Sequence, residues 1–178
     1  MTERLLDETQ SLKIGLNILN VKEGKRRLTV VNGGQTGVDR AAFDTAIALM
    51  LPCRGWCPDN RWAEDAPLAP HYPVQECGSP TPAVRTELNT IDSDGTLVLS
   101  RGTPHDGTPL TVERARAHNK PVLEIGLDDV PKVAEFWQWI NTHDIRILNI
   151  GGPRESFSPG NVYEPACTIL TQLLDPTT

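Results

Sequence analysis

Between Thr29 and Ala48 the chain reads TVVNGGQTGVDRAAFDTAIA. A β-branched apolar run breaks into a glycine-rich turn, and the turn opens an alanine-rich helix. A strand that feeds a helix N-terminus through so short a turn is half of a crossover unit, and such units build parallel sheets. The first turn of a helix carries unpaired N–H groups and a partial positive charge, and glycines let a ligand approach that backbone closely. Gly33, Gly34 and Gly37 are therefore expected to leave amides free for a small anion or phosphate, with Gln35 and Thr36 adding side-chain hydrogen bonds. Asp39 and Arg40 fall in the first helical turn, where a carboxylate is equally well explained as a structural cap.

The same alternation runs through the rest of the chain. Strands are expected at Leu28–Val31, Cys53–Trp56, Thr96–Ser100, Val122–Ile125 and Ile145–Ile150, and helices at Gly37–Met50, Ala83–Ile91, Thr108–Asn119 and Val133–Asn141. A terminal helix opened by Pro159 carries Val162, Ala166, Ile169, Leu170 and Leu173 on one stripe. Residues 58–82 are proline-rich and read as a long irregular segment, of the kind that covers ligands. The pattern predicts an α/β fold, Rossmann-like and doubly wound, with a mostly parallel sheet and helices on both faces. Residues 28–175 form one ligand-binding domain in this reading, and residues 1–27 a leucine-bearing N-terminal extension.

A net charge of −6 argues against a nucleic-acid binder, which needs a basic face to neutralise phosphates. No apolar run is long enough to span a membrane and no signal-peptide plan opens the chain, so a cytoplasmic protein is expected. Cys53, Cys57, Cys77 and Cys167 lack the spacing of a zinc site and read as free thiols; no metal ligands are assigned.

Three strands run straight into glycine-bearing loops. The first is the Gly33–Gly37 turn. The second contains Ser100, Arg101, Gly102 and Gly107 and leads to Thr108, Thr111 and Glu113; the third contains Gly151, Gly152, Arg154 and Ser156. In a parallel sheet the C-terminal strand ends share one edge, and ligands bind there where the strand order reverses. If the strand at Leu28 neighbours the strand at Thr96, the first two loops flank that crevice. Arg40, Arg54, Arg85, Arg101 and Arg154 suit an anion through their bidentate forks. Trp56, Arg61 and Trp62 offer planes on which a pterin or purine could stack, or else pin a loop onto the core.

Taken together, several segments resemble the molybdenum cofactor carrier family: GGQTGVDR from Gly33 to Arg40, GWCP from Gly55, Arg61 with Ala63-Glu64-Asp65, Tyr72-Pro73, RTELN from Arg85 and LNIGGPRES from Leu148 to Ser156. The likeness runs from about Leu28 to Leu174. It implies a Rossmann-type branch of the superfamily that includes the lysine-decarboxylase-like LOG proteins. It also implies a homo-oligomer that binds and protects molybdenum cofactor, or molybdate, and hands it to apo-molybdoenzymes or to cofactor biosynthesis proteins. The alternative from the same superfamily is a LOG-like nucleoside monophosphate phosphoribohydrolase, with Arg85 and Glu113 in the catalytic positions. Against that, Asp106-Gly107-Thr108 through Glu113 matches the LOG loop only in part. The leading Pro-Gly-Gly is absent and the Gly-Thr to Glu spacing is longer.

Overall fold

The computed structural model describes residues 27–102, 108–157 and 161–175. Six strands form one sheet: β1 (Thr29–Val31), β2 (Cys53–Cys57), β3 (Val74–Glu76), β4 (Gly95–Ser100), β5 (Val122–Gly126) and β6 (Ile147–Gly151). Their order is β3-β2-β1-β6-β4-β5 and every neighbouring pair is parallel. The helices are α1 (Val38–Ala48), α2 (Pro82–Ile91), α3 (Thr108–Ala117), α4 (Val133–Thr142) and α5 (Tyr163–Leu174). The chain is thus a Rossmann-like α/β protein with an all-parallel sheet. None of its described helices is long and apolar enough to cross a membrane.

Side chains alternate across each strand. Leu28, Val30, Leu97, Leu99, Leu148 and Ile150 point to one face, where Ala41, Ala42 and Ala46 of α1, Phe136 and Ile140 of α4, and Ala166, Ile169, Leu170 and Leu173 of α5 bury them. The expected stripe on α5 is the one that packs, although Pro159 itself lies outside the described residues. The intervening positions, among them Thr96, Val98 and Asn149, face α2 and α3 and are also buried. This second face is polar: Asn149 Nδ2 donates to Thr96 Oγ1 at 3.3 Å, and Thr86, Asn89 and Thr90 are buried on α2.

Two expectations are corrected. The proline-rich segment is not wholly irregular. It contains a 3-10 turn at Asp59–Arg61 and the edge strand β3, whose register on β2 pairs Gly55 with Val74 and Cys57 with Glu76. Three residues are too few to show a period-two pattern. Secondly, β1 does not neighbour β4, because β6 lies between them, with Val31 opposite Asn149 and Thr96 opposite Asn149 on its other side. Numbered from β6 as strand 1 and then β1 through β5, the order reads 4-3-2-1-5-6, a doubly wound sheet whose winding reverses between β6 and β4.

The segment between β2 and α2 is held by Arg61. Its guanidinium donates to the carbonyls of Leu68 (2.8 Å), Ala69 (2.8 Å), Tyr72 (2.9 Å) and Val74 (3.2 Å). One planar five-donor group thereby pairs carbonyls that no regular structure would pair. Trp56 Nε1 donates to Asp92 Oδ2 at 2.8 Å. Trp56 and Arg61 are thus anchors of the chain itself, as loop-pinning requires, whereas Trp62 is exposed.

Candidate functional site

The Gly33–Gly37 turn spends four of its five amides on its own side chains and those beside it. Gly34 N–H donates to Asn32 Oδ1 (2.8 Å), Gln35 N–H to Asp39 Oδ2 (3.4 Å) and Thr36 N–H to Gln35 Oε1 (3.0 Å). Gly33 N–H is also directed at the Asp39 carboxylate, and Val38 N–H donates to the Pro153 carbonyl at 3.2 Å. The expectation of free amides is therefore overturned at Gly33 and Gly34, whose N–H groups are taken up within the turn. The polar side chains that flank the glycines, Asn32, Gln35 and Asp39, occupy the positions an anion would take.

The glycines serve close packing. A Cβ on Gly33 would lie 2.4 Å from Arg85 Nη1, on Gly34 2.8 Å from a Leu68 methyl, and on Gly37 2.4 Å from the Pro153 carbonyl oxygen. On Gly152 it would lie 2.4 Å from the Leu99 carbonyl oxygen and 2.6 Å from Val38 Cγ2. The β1 and β6 loops are thus pressed together and covered by the proline-rich segment.

Asp39 is the centre of this turn. It is 4% exposed and pairs with Arg85 Nη1 at 3.1 Å. Burial pushes its carboxyl above the ordinary value of 3.8, against the pull of the Arg85 guanidinium and of the Gln35 and Gly33 amides. Glu64 plays the matching part outside the turn. It accepts the Thr36 hydroxyl, the Ser156 hydroxyl (2.5 Å) and the Ser156 N–H (3.2 Å), with Arg154 Nη1 at 3.8 Å. Burial alone would raise its pKa, but the bonds from Ser156 and Thr36 and the Arg154 charge outweigh that and hold it below the ordinary 4.5. Such a carboxyl stabilises the fold above pH 4.5, and the contribution is lost as pH falls through its lower native value. Glu64→Gln is accordingly expected to cost about 1–2 kcal/mol at neutral pH, with the gap to the native protein closing in acid; urea unfolding at a series of pH values measures both.

Each candidate arginine already meets a carboxylate. Arg40 makes a paired contact with Asp65 (3.2 and 3.3 Å), Arg85 meets Asp39, and Arg154 meets Glu64. Arg101 binds Asp128 through Nε (3.1 Å) and Nη2 (3.0 Å) and reaches the Asn161 carbonyl at 3.2 Å. An incoming anion would share these guanidinium groups with them.

The crevice where the winding reverses lies between the ends of β6 and β4. Gly151 ends β6, and a Cβ there would lie 3.4 Å from Thr111 Cγ2 on α3. Ser100, Arg101 and Gly102 follow β4, and α3 begins at Thr108. Thr108 is 1% exposed, and its hydroxyl has no hydrogen-bond partner among the described residues. The third and second loops therefore flank the reversal point, with the first packed behind the third. Gly107 lies outside the described residues. Glu113 is exposed and two positions on from the buried Thr111, so it faces the other side of α3. Sequence reasoning gave no role to Asn32, Glu64 or Glu155, although Glu64 and Glu155 stand in the family-like segments; Glu155 accepts the N–H groups of Val162 and Tyr163 at the start of α5. Asn32 carried a local signal, since it stands immediately before a Gly-Gly pair, a common way of closing a turn through its own side chain.

A doubly wound parallel sheet with glycine-bearing loops at the point of reversal defines a Rossmann-like α/β protein. The chain belongs to the circularly permutated YpsA SLOG family, whose model matches residues 30–174. The placement of the last strand at the centre of the sheet agrees with that description. A crystal structure described as "Putative molybdenum carrier protein" from Syntrophus aciditrophicus SB is 38% identical and superposes with a TM-score of 0.77. The match covers 83% of this chain and 96% of that one. None of the curated proteins matches the chain.

Proposed function

We propose that this protein binds and shelters molybdenum cofactor, holding its phosphate in the crevice between β6 and β4. One observation carries the reading: Thr108, at the first turn of α3, is buried with an unpartnered hydroxyl among the described residues. A buried hydroxyl without a partner costs free energy, and a helix N-terminus favours an anion at the same place. An oxyanion at the start of α3 would satisfy both. Thr111 stands one turn on, and Arg101 and Arg154 lie on the loops that flank the opening. Those residues fit a phosphate-bearing pterin, and the relative's description as a molybdenum carrier points the same way. In this reading the molybdenum centre is cargo, and the chain's own groups bind the phosphate, fix its orientation and keep water away.

The test mixes the purified chain with free molybdenum cofactor without oxygen, then follows in air the loss of material able to reactivate a cofactor-free molybdoenzyme. The protein is expected to slow that loss and to retain the cofactor through gel filtration. Thr108→Val, which keeps the shape and deletes the hydroxyl, should weaken retention about tenfold, the loss of one hydrogen bond to a charged group. If the native protein neither retains nor protects the cofactor, the reading fails. Gly34→Val would be a poor probe, because it strikes Leu68 and disturbs the turn itself.

A further inference from the structure

A separate open cleft of about 710 Å³ lies on the other side of Gly37, between α1, the proline-rich segment and the start of α5. That is within the size range of small-molecule sites. Its walls include the rings of Tyr72 and Tyr163, and the Arg40 guanidinium lies 5.3 Å from the Tyr72 ring centre. At its floor is Asp44 of α1. Tyr72 donates its hydroxyl to Asp44 Oδ1 and Tyr163 donates to Oδ2, both at 2.8 Å. Burial and the Asp44 carboxylate push Tyr72 up to about 12, so its hydroxyl keeps the proton that it donates; Tyr163 is raised for the same reasons.

The charge here is opposite to what a phosphate needs. Asp44, Glu64, Asp65 and Glu155 line the cleft with Arg40. Asp65 is paired with Arg40 and Glu64 with Arg154, whereas Asp44 is met by the two tyrosine hydroxyls and Glu155 by backbone N–H groups. A carboxylate has about four lone-pair sites. With one tyrosine on each oxygen, Asp44 keeps a second acceptor position on both, fixed in orientation by two aromatic neighbours. Tyr72 is itself packed against Phe43, His71 and Arg40, so the match rests on the carboxylate: its two acceptor positions suit a ligand edge with two parallel donors.

We propose that this cleft is a second small-molecule site, selective for a planar edge carrying two N–H donors, with Asp44 as the acceptor. Two ligand sources share that edge: a guanidinium-bearing metabolite and the 2-aminopyrimidinone ring of a pterin. The cleft is lined from α1, the proline-rich segment and the β6 loop, and no residue of α3 lines it.

Calorimetric titration of the full chain with agmatine and with pterin tests the proposal, using benzoate and lumazine, which lacks the 2-amino group, as controls. Saturable binding of agmatine or pterin is expected, with benzoate and lumazine weaker by about tenfold or more, and the probe that binds identifies the source. Asp44→Asn should weaken that probe about tenfold, as for loss of a charge-assisted bidentate pair, and Tyr72→Phe should weaken it less. No saturable binding of either probe, equal binding of the controls, or a folded Asp44→Asn protein with unchanged affinity would overturn it. Should Asp44→Asn fail to fold, Tyr72→Phe decides: unchanged affinity for the bound probe would overturn the proposal.

Discussion

Gly37→Ala is expected to destabilise the protein by roughly 3–5 kcal/mol, adding a strained backbone to an overpacked contact. Gly37 precedes α1 with φ 73° and ψ −126°, a conformation in which a side chain is badly strained. The new Cβ would also lie 2.4 Å from the Pro153 carbonyl oxygen and 3.0 Å from Glu155 N. Those are backbone atoms and cannot rotate away. Relief would require the β1 and β6 loops to separate, breaking the Val38 N–H bond to Pro153 and the Thr36 contacts with Glu155 and Glu64. Gly102→Ala is the internal control. Its φ is +62° but no atom of the described residues lies within 4 Å of the added carbon, so only the left-handed penalty of about 1–2 kcal/mol applies. Denaturant unfolding of the two variants separates conformational strain from steric conflict, and equal losses would refute the packing argument.

Asp39→Ala has an expected cost of similar size, about 3–5 kcal/mol, because it leaves a buried guanidinium contact and two loop amides without their acceptor. Asp39→Asn should cost less. The amide keeps an oxygen for Gln35 N–H and removes a charge that burial disfavours, while sacrificing the pair with Arg85. The sign with pH is opposite to that of Glu64. A carboxyl whose native pKa is raised favours the fold in acid, and that advantage is lost as pH rises from 3.8 through the native value. Thermal unfolding across that range should show the difference between the native and Asn proteins changing with pH, since Glu64 titrates alike in both. A difference that stays constant would show that Asp39 is not shifted by its surroundings.

Much of the architecture was legible from local pattern. Each strand before a glycine loop and each amphipathic helix stands within a few residues of its expected place, since burial of alternate or helical positions is written into the composition of each segment. The order of the strands was not. Nothing local in Ile147–Gly151 says that it inserts between β1 and β4, because that choice depends on what the whole chain can bury. Edge strand β3 escaped for the opposite reason: its three residues carry too little pattern. The placing of the glycine loops at the strand ends was legible, and their hydrogen bonding was not. The loops of Gly33, Gly37, Arg85 and Arg154 lie beside one another, yet Asn32 and Asp39 take up the amides of Gly34 and Gly33. The Asp44 cleft was out of reach, because Tyr72 and Tyr163 meet Asp44 only through the tertiary fold.

Placing β6 at the centre of the sheet has a kinetic consequence. Thr29 pairs with Ile147, and β4 reaches the rest of the sheet only through β6. While a ribosome is still making the segment before Ile147, the two halves of the sheet have no strand to join them, and each presents a bare apolar edge. Long-range parallel pairing is slow, and unpaired edges invite aggregation during the wait. The nascent chain should therefore acquire protease resistance in a single late step, after the last strand has cleared the exit tunnel.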